Sequence, residues 1–269
     1  MVTAIGRVAP HGPQWHGGAS RLLQCETHRP DHLARRRGMT LRMGCNFHWH
    51  NNGYANFDDL LAAFSSKKRK NIKRERRLVE AQGLTMRQYR GQQISDELVD
   101  IFTRFYTSTF DEKHGVATLN AGFFRAIRDA LGDAMVLVVA EKDDSPVAAA
   151  LFFQGKDTLF GRYWGCDQAF HSLHFETCYY QGQALAIANG LKLVDPGVQG
   201  EHKIARGFLP TATWSAHWIA DEQFSAIIDR YCRDEQQAME QHCEELWQHS
   251  PYRDEAIPPR QQKTALTEQ

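Results

Sequence analysis

The sequence lacks the patterns that identify several large classes of protein. It has no Gly-x-Gly-x-x-Gly turn following a strand and no phosphate-binding P-loop. These absences argue against a dinucleotide-binding Rossmann domain and a P-loop NTPase. The 6 cysteines include no Cys-x-x-Cys pair and form no disulfide framework. We therefore expect reduced thiols and a cytoplasmic protein.

Long apolar runs are also missing. Runs such as residues 148–153 have the length of a strand and fall far short of the roughly 18 residues that a membrane span requires. The N-terminus carries no apolar core of a secretory signal. We therefore expect neither a membrane-spanning helix nor secretion.

The chain has no net charge of either sign, because 32 Lys and Arg residues balance 32 Asp and Glu residues. A protein that binds nucleic acid over its whole surface is usually basic, so any such role must rest on a local patch. Hydrophobic residues make up 42% and charged residues 24% of the chain, which excludes wholesale disorder.

Composition divides the 269 residues into three parts. Residues 1–38 contain several His and Pro residues and three consecutive arginines, without periodicity, and are expected to be poorly ordered or the remnant of a longer segment. Residues 250–269 contain three prolines among polar residues and are predicted to be a disordered tail. One globular domain is therefore predicted over residues 39–249.

Helical and strand patterns alternate inside this domain. Ser95 and Asn120 are predicted helix caps, and Gly83 and Gly132 are predicted helix stops. Short turn signals separate three strand-like runs into an antiparallel meander over residues 135–141, 146–154 and 158–164. The remaining predicted helices and strands cover residues 65–82, 84–90, 174–189, 191–195, 214–219 and 221–249. The predicted fold class is α/β (α+β), a mixed, largely antiparallel sheet flanked by helices.

A basic helix is the strongest local feature. Residues 67–77 hold eight cations and a single acid, Glu75. Like charges four residues apart repel each other by a few tenths of a kcal/mol, and a phosphate-bearing ligand such as CoA, tRNA or a lipid pyrophosphate would offset this. We predict that Lys67, Lys68 and Lys70 bind the anionic donor. The alternative is that these charges are solvated or pair with the acidic C-terminal helix.

The loop after the predicted strand 191–195 carries a dense set of polar residues. We predict Glu201 or His202 as the general base, Lys203 and Arg206 as anion holders, and Gln199 as a substrate contact. On an extended segment, only one of two adjacent side chains can point into a cleft. Burial raises carboxylate pKa values, which slightly favours the glutamate, whereas the ordinary pKa of histidine lies closer to neutrality. An ordinary surface loop is the alternative.

Substrate-binding candidates lie at the end of the predicted strand 158–164 and in the first turn of the next helix. They are Arg162, Tyr163, Trp164, His174 and Glu176. Helical spacing also allows a Cys178 nucleophile near His174, although a buried structural cysteine is the commoner case. His171 and His174 have no third ligand spaced near them, so no metal is expected.

His48 and His50 alternate with aromatic residues, which places both imidazoles on one side of a strand. A structural or substrate-lining strand is favoured here over a metal site.

Six motifs occur in order over residues 40–222: Asn46-Phe-His-Trp-His50, the basic run 65–77, Gly161-Arg-Tyr-Trp-Gly-Cys166, Leu173-His-Phe-Glu-Thr-Cys-Tyr-Tyr180, Gln199-Gly-Glu-His-Lys-Ile-Ala-Arg-Gly207 and Ser215-Ala-His-Trp-Ile219. Together they resemble the FemAB-like bacterial family of peptidoglycan biosynthesis/recognition proteins, within the GNAT-type acyltransferase superfamily. The resemblance implies a GNAT-like sheet and the transfer of an acyl or aminoacyl group to an amine. From their chemistry and their position on the strand at the end of the meander, we predict that Arg162 and Tyr163 line the acceptor pocket.

The resemblance also implies the other reactants. The donor is acyl-CoA or aminoacyl-tRNA, used as a co-substrate without a tightly bound cofactor, and the acceptor is a small molecule or a cell-wall precursor. The chain departs from the pattern because residues 166–173 lack the glycine-rich pyrophosphate loop of GNAT enzymes, and we expect the N-terminal half of tandem members to be missing. The missing loop favours an alternative function: a non-catalytic module that binds a polyanion or cell-wall precursor through the basic helix.

Overall fold

The computed structural model describes residues 20–26, 38–112, 115–197 and 200–258, and predictions for other residues lie outside this part of the chain. The strands are β1 (Ser20–Glu26), β2 (Thr40–His50), β3 (Leu84–Arg90), β4 (Met135–Lys142), β5 (Ser145–Gln154), β6 (Thr158–Cys166), β7 (Leu193–Asp195) and β8 (Leu209–Ile219). The α-helices are α1 (Phe57–Ala63), α2 (Ser66–Ala81), α3 (Asp96–Glu112), α4 (Ala121–Leu131), α5 (Leu173–Phe175), α6 (Gln181–Ala188) and α7 (Glu222–Trp247). A π-helical turn, Glu176–Tyr180, joins α5 to α6, and a 3₁₀ helix spans Glu201–Arg206.

Contacts between residues divide the chain into two compact units. The first unit comprises residues 1–46, 209–250 and 261–269, and the second comprises residues 47–208 and 251–260. No helix in the described ranges is both long enough and apolar enough to cross a membrane.

The second unit is built on a sheet with the strand order β2-β7-β6-β5-β4-β3. All neighbouring strands are antiparallel except β6 and β7, which run parallel. Strand β4 is buried from Met135 to Glu141 because helices cover both faces of the sheet. On one face, Phe102, Phe105 and Phe124 of α3 and α4 pack against it. On the other face, Val79 of α2 belongs to the same cluster as Ala140. This is the mixed, largely antiparallel sheet with flanking helices that the sequence predicts.

Local signals determine where the helices of this unit begin and end. The Ser95 hydroxyl accepts a hydrogen bond from the amide of Leu98 at 3.1 Å, and the Asn120 side chain accepts one from the amide of Phe123 at 3.0 Å. Both predicted caps are thus confirmed. Gly132 ends α4 with a φ of +53°, a conformation that favours glycine.

The first unit contains β1, β8, the first part of β2 and helix α7. Strand β1 pairs antiparallel with β8, with Ser20 opposite Ile219 and Glu26 opposite Thr213. Part of the stretch 1–38, for which composition predicts no regular structure, is therefore a strand. The prediction fails there because the pairing partner lies about two hundred residues away, where local composition cannot reveal it.

The cysteines also differ from the prediction in this unit. Cys45 on β2 and Cys243 on α7 form a disulfide with their Cα atoms 6.2 Å apart. The expectation that all cysteines are reduced is wrong for this pair. The two residues are 198 positions apart in sequence, so no spacing motif announces them. Within the described part of the chain, Cys166, Cys178 and Cys232 are not bonded in a disulfide.

Candidate active site

The candidate site lies in the second unit, where β6 and β7 separate. Their parallel pairing ends at Phe160 and Asp195, although β6 continues to Cys166. Beyond Asp195 the chain turns away through Pro196 and Gly197, whose φ of +84° suits glycine. Loops at the carboxyl ends of two parting strands can present functional groups, and we call this point, where β6 and β7 part, the opening.

A β-bulge places Arg162 beside this opening. Leu151 of β5 pairs with Tyr163 and Phe152 pairs with Gly161, so Arg162 is the extra residue. A bulge redirects the side chain that it inserts. The Arg162 guanidinium lies 3.7 Å from the Asp195 carboxylate, with 38% of its side chain exposed.

Three buried polar side chains surround the end of β7. Asp195 and Lys203 are each 2% exposed, and His48 is completely buried. The Lys203 ammonium donates a hydrogen bond to the Gly197 carbonyl at 2.6 Å. Burial lowers the pKa of Lys203 to about 8, although the negative charge of Asp195 opposes the shift.

His48 Nε2 lies 4.0 Å from the Asp195 carboxylate. Neither ring nitrogen has a hydrogen-bond partner among the described residues. Burial lowers the pKa of His48 to about 4, and the charge of Asp195 only partly opposes this. His48 is therefore neutral near pH 7.

The burial of His48 predicts a loss of stability at acidic pH. The unfolded chain binds this proton near pH 6.5, whereas the folded chain binds it only near pH 4, so the unfolded state holds more protons between these values. The free energy of unfolding should fall by about 3 kcal/mol as the pH is lowered from 6.5 to 4. Urea unfolding at several pH values measures this change.

The variant His48→Phe isolates the contribution of this one ring. It removes the titrating group while retaining a large planar side chain, so the decrease between pH 6.5 and 4 should shrink markedly. An unchanged pH dependence in this variant would show that other groups, among them His50 and His202, carry the effect.

His202 lies on the 3₁₀ helix at the edge of the opening. Its Nε2 atom is 2.9 Å from the Tyr179 hydroxyl, within hydrogen-bond distance. Partial burial and then the positive charges of Arg206 and Lys203 lower the pKa of His202, which keeps the imidazole neutral at pH 7. A neutral imidazole that contacts solvent can accept a proton from a bound amine.

Glu201 precedes His202 and is exposed. The segment is a 3₁₀ helix rather than the extended loop that we expected, so the argument from opposite-facing neighbours does not apply. Burial in a water-excluded cleft was the reason to favour Glu201 as the general base, and Glu201 is not buried. Gln199, the predicted substrate contact in this loop, lies outside the described residues.

Arg206 is paired within the protein. Its guanidinium contacts Glu75 on α2 through Nη2 at 2.7 Å and through Nε at 3.2 Å. The Tyr180 hydroxyl donates a hydrogen bond to the same carboxylate. This carboxylate already neutralises the charge of Arg206, and the role of Arg206 as an anion holder stays a prediction.

Glu176 is also held internally. It is 4% exposed, its carboxylate contacts the Arg76 guanidinium at 3.1 Å and it accepts a hydrogen bond from the Gln181 amide at 2.8 Å. Glu176 is thus a buried partner of the basic helix, and its role as a substrate contact stays a prediction. It begins the π-helical turn, a distortion often found at functional sites.

Aromatic and imidazole rings pack against one another beside His202. The His174 ring lies 5.0 Å from Trp164 and 5.3 Å from Tyr179. The Phe175 ring lies 5.7 Å from His202. The structure thus brings together Trp164, His174 and His202, which lie in three separate sequence motifs.

Two other predicted residues have different surroundings. Tyr163 faces the side of the sheet covered by α3, and its ring lies 5.1 Å from Tyr106, so it contributes to the core rather than to the acceptor pocket. Burial raises the pKa of Cys178 to about 12, so its thiol stays protonated and is a poor nucleophile.

The predicted anion-binding lysines lie on the first turns of α2. Lys67 and Lys70 are exposed and Lys68 is half-buried. Ion pairs between α2 and other described residues involve Glu75 and Arg76, at the other end of the helix. The three lysines thus remain available to a ligand.

Sequence reasoning missed Glu75 and Tyr179 as members of the site. Glu75 carried a usable signal, because it is the lone acid among the cations of residues 67–77. Tyr179 carried none, since an aromatic residue in a helix is usually part of the core.

Comparison with known proteins gives one family and a set of similar folds. The profile of the FemAB-like family, described as peptidoglycan biosynthesis/recognition, matches residues 17–254. No curated protein matches the chain. The crystal structure of FemX is similar, with a TM-score of 0.54 and 12% identity, over 79% of this chain and 74% of that one.

Two lipid-related proteins have similar structures. The C-terminal domain of a putative lysylphosphatidylglycerol synthetase from Agrobacterium fabrum matches with a TM-score of 0.50 and 11% identity, over 77% of this chain and 83% of that one. L-PGS from Bacillus licheniformis matches with a TM-score of 0.50 and 12% identity, over 77% of this chain and 71% of that one. At such identities the matches show a shared fold, and the predicted GNAT-like fold class is confirmed.

Proposed function

Because the chain belongs to the FemAB-like family of peptidoglycan biosynthesis/recognition proteins, we propose that it is an N-acyltransferase. It transfers an acyl or aminoacyl group from acyl-CoA or aminoacyl-tRNA to an amine on a small molecule or cell-wall precursor. One observation carries the proposal: a neutral imidazole, His202, and a buried ammonium, Lys203, are neighbours on the helix at the opening between β6 and β7. Both donors are made in the cytoplasm, so we place the reaction there.

His202 is the general base of the proposed reaction. The acceptor amine attacks the donor carbonyl and forms a carbon–nitrogen bond, and His202 takes the proton that the nitrogen releases. The carbon–sulfur bond of a thioester or the carbon–oxygen bond of a tRNA ester then breaks. The imidazolium returns its proton to the departing thiolate or alkoxide, so that protons and bonds balance.

Lys203 and Arg162 supply positive charge beside the reacting carbonyl. The tetrahedral intermediate carries a negative oxygen, which nearby fixed cations stabilise more strongly in a water-poor site than in bulk water. Asp195 partly offsets these two cations, which leaves a net positive charge at the opening. Trp164 and His174 provide an aromatic wall against which the acceptor packs.

The cations at the start of α2 are the proposed binding site for the phosphates of the donor. Lys67, Lys68 and Lys70 have no ion-pair partner within the described part of the chain. The same observation supports a second candidate function, in which the protein binds a polyanion or a cell-wall precursor without catalysis. The two functions differ in whether a bound donor is consumed.

Ligand-induced stabilisation followed by a transfer assay separates these functions. The melting temperature is measured with acetyl-CoA, CoA or deacylated tRNA, because a ligand with micromolar Kd at millimolar concentration adds about 4 kcal/mol of stability. Any donor that stabilises the protein is then incubated, as its acyl-CoA or aminoacyl-tRNA form, with amine acceptors, and the products are analysed by mass spectrometry. Amide formation supports the transferase, whereas binding without turnover supports the second candidate.

The triple variant K67Q/K68Q/K70Q is the control for the binding site. We expect weaker donor binding and a flatter dependence of affinity on salt, since three phosphate contacts are removed. Unchanged affinity and salt dependence would place the donor elsewhere.

A further inference from the structure

We infer that Glu75 is a positioning residue for the proposed base, His202, and that it acts through Arg206. The inference rests on the proposed function and deepens it by identifying what holds the base in place. It also explains why one acid stands in the middle of a basic run. Glu75 does not reach the opening itself.

Glu75 fixes the Arg206 guanidinium through a two-point contact. The two nitrogens Nε and Nη2 of Arg206 contact the two carboxylate oxygens at 3.2 and 2.7 Å. Such a fork defines the plane of the guanidinium as well as its position. Side-chain exposure is 9% for Arg206 and 16% for Glu75, so water screens the pair only weakly.

Arg206 in turn fixes the backbone of His202. The remaining terminal nitrogen, Nη1, donates a hydrogen bond to the His202 carbonyl at 2.8 Å. The face of the guanidinium stacks on the Phe175 ring, 3.4 Å from its centroid. The carbonyl of Arg206 accepts a hydrogen bond from the Gln183 side chain at 2.8 Å. The side chain of Arg206 therefore bridges α2 and the backbone of His202, and its own backbone is tied to α6.

The π-helical turn connects Glu75 and His202 by a second route. Tyr180 donates a hydrogen bond to Glu75, and the adjacent Tyr179 contacts the His202 ring at 2.9 Å. Tyr180 is completely buried and Tyr179 is 3% exposed, so neither ring moves independently of the core. Glu75 thus supports the backbone of His202 through Arg206, and its ring through the turn that holds both tyrosines.

Loss of the carboxylate should therefore displace the base. In Glu75→Gln the amide can still accept the Tyr180 hydrogen bond, but it carries no charge to hold Arg206. The guanidinium is then no longer held in its plane, and its hydrogen bond to the His202 carbonyl is weakened. A displacement of about 1 Å at a reacting group costs on the order of 10²-fold in rate.

The first test compares two acids on the same helix. E75Q should lower kcat of the transfer reaction by about 10²-fold and leave KM for the donor within about threefold. The matched control, E80Q, removes an equal charge from an exposed position of α2 and should retain the wild-type kcat. Equal kcat values for E75Q, E80Q and the wild type would overturn the inference.

The second test separates positioning from stability. In E75Q/R206M neither charge remains, so the fold should regain most of the stability that E75Q loses. Arg206 no longer donates to the His202 carbonyl in this variant, so kcat should stay low. Recovery of kcat together with stability would show that the pair has a purely structural role.

A readout without turnover distinguishes this inference from the proposed function. Histidine ¹⁵N resonances, with His202 assigned from the H202Q spectrum, report the hydrogen bonding and titration of that ring. E75Q should shift the His202 signals and E80Q should not. Unchanged His202 signals in E75Q would overturn the positioning role, whether or not transferase activity is found. Shifted signals without any turnover would support the positioning role and contradict only the proposed function.

Discussion

His202→Gln should lower the rate of acyl transfer by about 10²-fold or more, while Glu201→Gln should stay within about twofold of the wild type. The two residues are adjacent, and each substitution replaces a proton acceptor with an amide of similar size. Both residues are exposed, and the neutral imidazole of His202 contacts the Tyr179 hydroxyl beside the opening. Steady-state kinetics with the donor identified by thermal stabilisation provides the comparison. A large loss in E201Q alone would make the glutamate the base.

The pH dependence of the rate gives an independent check. His202 must be neutral to accept a proton, so the rate should rise as the pH increases through its lowered pKa, below the ordinary 6.5. Lys203 must be charged to stabilise the oxyanion, and its pKa is lowered to about 8, so the rate should fall as the pH rises above that value. The profile is therefore expected to be bell-shaped.

Two variants assign the limbs of this profile. Lys203→Met retains an unbranched apolar chain and removes the ammonium, so it should lower the plateau rate and abolish the decline above pH 8. His202→Gln should abolish the rise on the acid side. If the decline above pH 8 persists in K203M, another group, such as the acceptor amine, is responsible for it.

The sequence predicts the local parts of this structure well. The caps Ser95 and Asn120 form the expected hydrogen bonds, and the meander of β4, β5 and β6 has the expected turns. Each of these features depends on a few neighbouring residues. Asp143 and Asp144, for example, both adopt positive φ in the tight turn between β4 and β5, as a two-residue hairpin requires.

Long-range pairing explains what the sequence did not reveal. Strand β7 has only three residues, and its neighbours β2 and β6 come from distant parts of the chain. The assembly of His48, Asp195 and Lys203 depends on those pairings, so their proximity is invisible in any single motif. The basic run illustrates the same limit, because its charge is visible in sequence but the partner of Glu75 lies 131 residues away.

Breaking the Glu75–Arg206 pair should reduce the free energy of unfolding by about 3 kcal/mol, the cost of leaving one buried charge without its partner. Glu75→Gln leaves the guanidinium of Arg206 uncompensated, and Arg206→Met leaves the Glu75 carboxylate beside the Tyr180 hydroxyl without a cation. Each single variant should therefore unfold at a lower urea concentration than the wild type, with an unchanged slope of the unfolding free energy.

The double variant E75Q/R206M decides whether the cost lies in the pair or in the separate side chains. Glutamine still accepts the hydrogen bond from Tyr180, and methionine packs on the Phe175 ring that the guanidinium covers. Because no charge is left buried, the double variant should be more stable than either single variant. The sum of the stability losses of the two single variants should exceed the loss of the double variant by about 2 kcal/mol or more. Additive losses would mean that the two charges are each solvated independently, and that the contact between α2 and the helix carrying His202 contributes nothing to holding that helix in place.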